Sequence, residues 1–138
     1  MTLAIPQSLV EQILAHCQQH YPKEACGIVA GLRTAPEPAV RVYPMRNVED
    51  SPIGYSMDPK EQLGVEKQMR SAAQSMRAIY HSHTASDAYP SSVDVGLAIS
   101  PDISYVLVSL KDRQRPVLKS YRIEGRTITE EPVQIVPG

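Results

Sequence analysis

The chain has 138 residues, 42% hydrophobic and 21% charged, with a formal net charge of −1. That length suits one domain over 1–138 with a core of its own, and the near-neutral charge offers neither a broad basic surface for nucleic acid nor an acidic tail. No apolar run approaches the ~18 residues of a membrane span, two cysteines make no disulfide framework, and no basic-then-apolar leader opens the sequence, so the expectation is a soluble cytoplasmic protein.

Pro6 suits the first turn of a helix, and Leu9, Val10, Ile13, Leu14 and Cys17 recur at helical spacing until Pro22 ends the run. Ala25 to Gly31 (ACGIVAG) is a short apolar strand closed by glycine. After a turn at Pro36 and Pro38, residues 39–45 alternate as a half-buried strand does, and a short extended piece lies at 55–57. Asp58, Pro59 and Glu61 then form a strong helix start. The expected apolar stripe runs through Val65, Met69, Ala72, Ala73 and Met76, with Arg70 and Arg77 favouring the second half through the helix dipole.

Residues 78–80 are a compact apolar strand leading into His81, followed by a polar loop to Pro90 and a helix from about Ser91 to Ile99. Strands are expected at 104–110, 117–123 and 127–135, the last two joined as a hairpin at Glu124-Gly125. There is no Trp and no Phe, so Val, Ile, Leu, Met, Ala and Tyr must build the core. The fold class expected is α/β (α+β), a mostly antiparallel sheet flanked by helices.

The informative segment is His81-Ser82-His83, ten residues, then Asp94. Residues two apart on a strand point to one side, so the two imidazoles emerge together, and the loop can fold the carboxylate of Asp94 back from the first turn of the next helix. Two nitrogens and one oxygen leave a fourth tetrahedral position open, the donor pattern of a catalytic zinc. A hydrolase of this kind needs a base, for which Glu24, just before a strand, is the best candidate. Ser91 has two readings that stay open on the residues alone. It can cap the helix, with Asp94 in the first turn, or donate to the oxyanion formed on attack.

His16 and His20 are four apart on a helix, but Cys17 stands where a zincin has Glu, so a helix face is expected. Cys26 reads as a small buried hydrophobe, Asp87 as a loop residue, and Met57, Met69 and Met76 as core. The Pro-Cys-x-x-Cys of zinc nucleoside deaminases is missing.

The string HSHTASDAYPSSVD (81–94) closely resembles the His-x-His-x10-Asp signature of JAMM (MPN+) metalloproteases, and Glu24-Ala25-Cys26-Gly27 resembles the Glu-x-Cys-Gly of small bacterial members. The likeness runs from the first helix through Glu24 and Tyr55-Ser-Met-Asp58-Pro59 to the signature. Thr84 stands where proline is usual, which puts the rigidity of that loop in question rather than the metal. The resemblance implies a cytidine-deaminase-like JAMM/MPN fold and one Zn2+ on His81, His83 and Asp94. It implies Glu24 as general acid/base and Ser91 as the residue assisting the oxyanion.

It further implies cleavage of the amide between the C-terminal glycine of a ubiquitin-like sulfur-carrier protein ending in Gly-Gly and an attached residue such as cysteine. The carrier's tail is expected to bind as an added strand at a sheet edge near the metal. The alternatives are a non-catalytic scaffold of the same fold and a zinc amidase for small substrates. A homodimer through an exposed edge is a further expectation.

Overall fold

A computed structural model describes all 138 residues. In chain order it comprises β1 (Leu3–Pro6), α1 (Gln7–His20), β2 (Cys26–Leu32), β3 (Arg41–Met45), α2 (Pro59–Ser71), β4 (Gln74–His83), α3 (Ser92–Leu97), β5 (Ser104–Ser109), β6 (Val117–Glu124), β7 (Thr127–Glu131) and β8 (Val133–Val136). Six strands form one sheet in the order β3-β2-β4-β5-β6-β7, antiparallel throughout except for the parallel pair β4–β5. The pair β1–β8 is a separate parallel ribbon. No helix is long and apolar enough to cross a membrane.

The alternation along β2 and β4 divides the core. Val29, Ala78 and Tyr80 face one side with Leu9, Val10, Ile13 and Cys17 of α1. Ile28 faces the other with Tyr43, Met45 and, from α2, Val65 and Met69. Each fully buried aliphatic side chain contributes about 1.5–3 kcal/mol of transfer free energy, so two modest layers serve a core without Trp or Phe. Gly27 is needed where it is, because a Cβ there would lie 2.2–2.4 Å from the ring of Tyr80.

Several expectations are corrected. Helix α2 ends at Ser71, with Ala73 in the left-handed region at φ 55, so Ala72, Ala73 and Met76 do not extend its stripe. Met76 and Arg77 belong to β4, which starts at Gln74 and not at residue 78. Arg77 therefore serves no helix dipole. Its guanidinium is buried against Glu37, Ser104 Oγ (2.8 Å) and the Thr2 carbonyl (3.2 Å).

Pro6 closes a strand and caps α1 rather than opening its first turn. The strand expected at 127–135 is two, broken at Pro132: β7 pairs with β6, whereas β8 leaves to pair with β1. Helix α3 stops at Leu97, short of Ile99. Asp58 caps α2 as expected, accepting from the Lys60 amide at 3.2 Å.

Candidate metal centre

His81 and His83 end β4 on its α2/α3 side, and α3 brings Asp94 over them. Asp94 Oδ1 lies 3.0 Å from His81 Nε2, and Oδ2 lies 3.0 Å from His83 Nε2. One donor atom from each of the three residues falls within 4.8 Å of the others. The carboxylate is aimed by a reciprocal cap. The Ser91 amide donates to Asp94 Oδ2 (2.8 Å), and Ser91 Oγ accepts from the Asp94 amide (3.1 Å). Both readings of Ser91 are compatible with this, because capping uses a lone pair of the hydroxyl and leaves its proton to donate.

Two hydrogen-bond facts fit the trio to a cation. His81 Nε2 is the one buried side-chain nitrogen or oxygen without a hydrogen-bond partner; its approach to Asp94 is close but misaligned. His83 donates Nδ1–H to the Asp87 carbonyl (2.9 Å), so its contact with Asp94 through Nε2 needs a second proton. A ring nitrogen without a hydrogen bond on one histidine and a proton in the ligand position of the other are what a metal would relieve, and the Asp87 carbonyl fixes the His83 tautomer.

The charge states agree. Burial holds His81 below the ordinary imidazole value, with Asp94 opposing. Burial also lowers His83, but the hydrogen bonds to Asp94 and Asp87 win and raise it. Burial works against the Asp94 carboxylate, yet the two histidines keep it well below the usual range. Two nitrogens and one anionic oxygen would suit zinc, and each ring faces Asp94 through its Nε2.

Glu24 is buried beside this cluster but is not one of the three clustered donors. Its backbone is tied on both sides: the amide donates to the Ser51 carbonyl (2.8 Å), and its carbonyl accepts from Asn47 Nδ2 (3.0 Å). Burial pushes its carboxyl up to about 7; His83 opposes this, while Asp94 and Glu49 add to it. The Thr84 hydroxyl donates to the Pro52 carbonyl at 3.0 Å, a tie from its loop to the segment before Tyr55.

Other side chains sort as their chemistry suggests. Cys26 is fully buried with its thiol pushed up to about 12 by burial and the nearby Glu61 and Glu24, so it is no nucleophile. His16 is buried against Tyr80, Nδ1 to Oη 2.6 Å, while His20 is exposed. Asp87 extends its carboxylate into solvent toward Lys111 and contributes to the site only through its carbonyl. Three contributors were not singled out from the sequence: that carbonyl, Asn47, and Tyr55, whose ring stacks on His81 at 4.5 Å and 27°. Backbone roles and aromatic stacking across distant segments leave no spacing signal.

The sequence matches the family described as prokaryotic homologs of the JAB domain over residues 6–124. The chain belongs to this family. It is 48% identical over 134 residues to the CysO-cysteine peptidase of Mycobacterium tuberculosis, covering 97% of this chain and 91% of that protein. Among solved structures, a Desulfitobacterium hafniense protein superposes with a TM-score of 0.88 at 38% identity, covering 100% of this chain and 94% of that one. A JAB1/MPN domain protein of Archaeoglobus fulgidus shares the fold at a TM-score of 0.61 and 16% identity, over 96% of this chain and 99% of that one. The family and the fold are thus those the resemblance implied.

Strand β4 is interior, flanked by β2 and β5, and the free edges of the sheet are β3 and β7. A strand added beside β3 would be separated from the metal-bearing β4 by β3 and β2. The segments beside the trio are instead the stretch around Tyr55 and the loop through Asp87 and Pro90.

Proposed function

We propose that this chain is a zinc metallopeptidase of the JAMM/MPN+ type. On this reading it hydrolyses the amide between the C-terminal glycine of a ubiquitin-like sulfur-carrier protein and an attached residue such as cysteine. The observation that carries the proposal is the orphaned Nε2 of His81, buried against an anionic carboxylate that also meets His83. The close similarity to a CysO-cysteine peptidase supports the substrate class.

Zinc on His81, His83 and Asp94 would supply Lewis acidity toward the scissile carbonyl and the attacking water. Glu24 takes the proton of that water and returns it to the leaving amine. Burial raises this carboxyl above the ordinary carboxylate range, which favours its holding and returning a proton, and the paired ties on its backbone hold it in place. Ser91 holds Asp94 through the capping box, which leaves its O–H free to donate to the oxyanion.

The test is mass spectrometry of a Gly-Gly-ended carrier extended by cysteine. Loss of the terminal residue by the zinc-loaded protein, none after chelation and none from Glu24→Gln, is the expected result. Full cleavage by the chelated protein would defeat the proposal. Turnover of short Gly-Gly-Cys peptides as fast as the folded carrier would point to a small-substrate amidase instead.

A further inference from the structure

The hydroxyl of Ser82 interrupts the β2–β4 ladder next to the metal centre. The antiparallel register pairs Cys26 with His81 and Gly27 with Tyr80, which places Ala25 opposite Ser82. A regular pair at that position would exchange two backbone bonds, each amide donating to the other residue's carbonyl. One of them forms: the Ser82 amide donates to the Ala25 carbonyl at 3.0 Å. The other does not. The Ala25 amide donates to Ser82 Oγ at 2.9 Å, so a side chain takes the place of the strand carbonyl. Strand β2 begins one residue later, at Cys26.

Both partners are shielded from solvent, Ser82 at 0% and Ala25 at 1% exposure, so water cannot substitute for the bond. Because side chains alternate on β4, Ser82 points to the α1 face, opposite the imidazoles on either side of it. Glu24 is the next residue back along the chain from the displaced amide. Its own amide and carbonyl are taken by Ser51 and Asn47. The peptide joining Glu24 to Ala25 is thus held at its carbonyl by Asn47 and at its amide by Ser82, and only Ser82 ties it to the histidine-bearing strand.

We infer that Ser82 is a positioning residue for Glu24. By drawing the Ala25 amide out of the ladder, its hydroxyl sets the backbone from which the Glu24 carboxyl reaches the site. The inference rests on Glu24 acting as proposed above. Alanine at 82 removes the acceptor and leaves the Ala25 amide without a partner, which frees the peptide next to the base to move relative to the imidazoles. Threonine keeps the acceptor. Cysteine keeps roughly the volume but accepts a hydrogen bond poorly.

The experiment compares wild type, Ser82→Ala, Ser82→Thr, Ser82→Cys and Glu24→Gln, each loaded with zinc and assayed on the carrier–cysteine fusion. A displacement of the base on the ångström scale predicts kcat lower by about 10- to 100-fold in Ser82→Ala. KM and one bound zinc per chain are expected to be retained, and Ser82→Thr to recover most of the lost kcat. Amide exchange read by NMR supplies a measure independent of turnover: the Ala25 amide is expected to exchange about tenfold faster or more in Ser82→Ala, beyond any change in the global rate. If Ser82→Ala does not fold, Ser82→Cys carries the same expectations.

Wild-type kcat in the variant lacking the acceptor, or an Ala25 amide as protected as before, overturns the inference. So does a loss of zinc that accounts for the whole fall in activity. If Glu24→Gln is fully active, the assignment of the base has failed. If Glu24→Gln is inactive while Ser82→Ala and Ser82→Cys are unaffected, the positioning inference alone has failed.

Discussion

Strand β4 carries a buried polar cluster toward each end, and the two are built on opposite principles. Toward its start, Arg77 meets Glu37, Ser104 and the Thr2 carbonyl; Ser104 in turn donates to Glu131, which also accepts from Ser120 Oγ (2.8 Å) and Arg122 Nε (3.1 Å). This network leaves no buried side-chain nitrogen or oxygen unpartnered. At the other end His81 Nε2 has no hydrogen bond at all. A closed polar network fastens strands together, whereas an open one in an otherwise satisfied interior is a place for a ligand. In this molecule the same strand does both, and the difference is legible in hydrogen-bond accounting rather than in residue type.

Breaking the open end should cost function. His81→Ala or Asp94→Asn is expected to abolish stoichiometric zinc binding, measured by elemental analysis, and all turnover with it. Glu24→Gln should bind zinc normally yet lose about 10²- to 10⁴-fold in kcat, the range for a general acid/base. Loading the open end should also stabilise the fold: zinc at 100-fold over its Kd is worth about 2.7 kcal/mol, read as a rise in Tm absent from His81→Ala.

Breaking the closed end should cost stability alone. Glu131→Gln removes one partner of a buried ion pair and is expected to destabilise by about 3 kcal/mol in urea unfolding while one zinc still binds. Burial disfavours the Glu131 carboxylate, but Ser104, Ser120 and Arg122 hold it below its ordinary 4.5. Its contribution is therefore complete above that value and fades as the pH falls through the folded one.

The smallest effect belongs to His16, on the α1 face between the two clusters. Burial, then His20, pushes its imidazole down to about 4, while the unfolded chain protonates near 6.5. Its contribution is complete above 6.5 and is lost as the pH falls toward 4, by on the order of 1 kcal/mol once solvent screening is allowed for. Thermal melts of His16→Gln should show a shallower decline over that window than wild type.

Local chemistry determined much of this protein in advance. Period 2 along β4 put both histidines on one face, the Ser91-to-Asp94 cap put the carboxylate over them, and Asp58 with Pro59 started α2 where expected. Each of these depends only on neighbours within a few residues. The errors share the opposite cause. Arg77 reads as a helix cation until Glu37, forty residues away, claims it; Ala73 at positive φ ends a stripe that composition alone would continue; and β8 separates from β7 to meet β1 at the far end of the chain. The ties on Glu24 from Ser51, Asn47 and, one residue on, Ser82 are likewise long-range. The sequence by itself determined which side chains could form a metal trio, because that rests on local periodicity. Only the tertiary structure decided which polar groups are satisfied and which are left open, because a hydrogen-bond partner is a matter of distance in space and not of spacing along the chain.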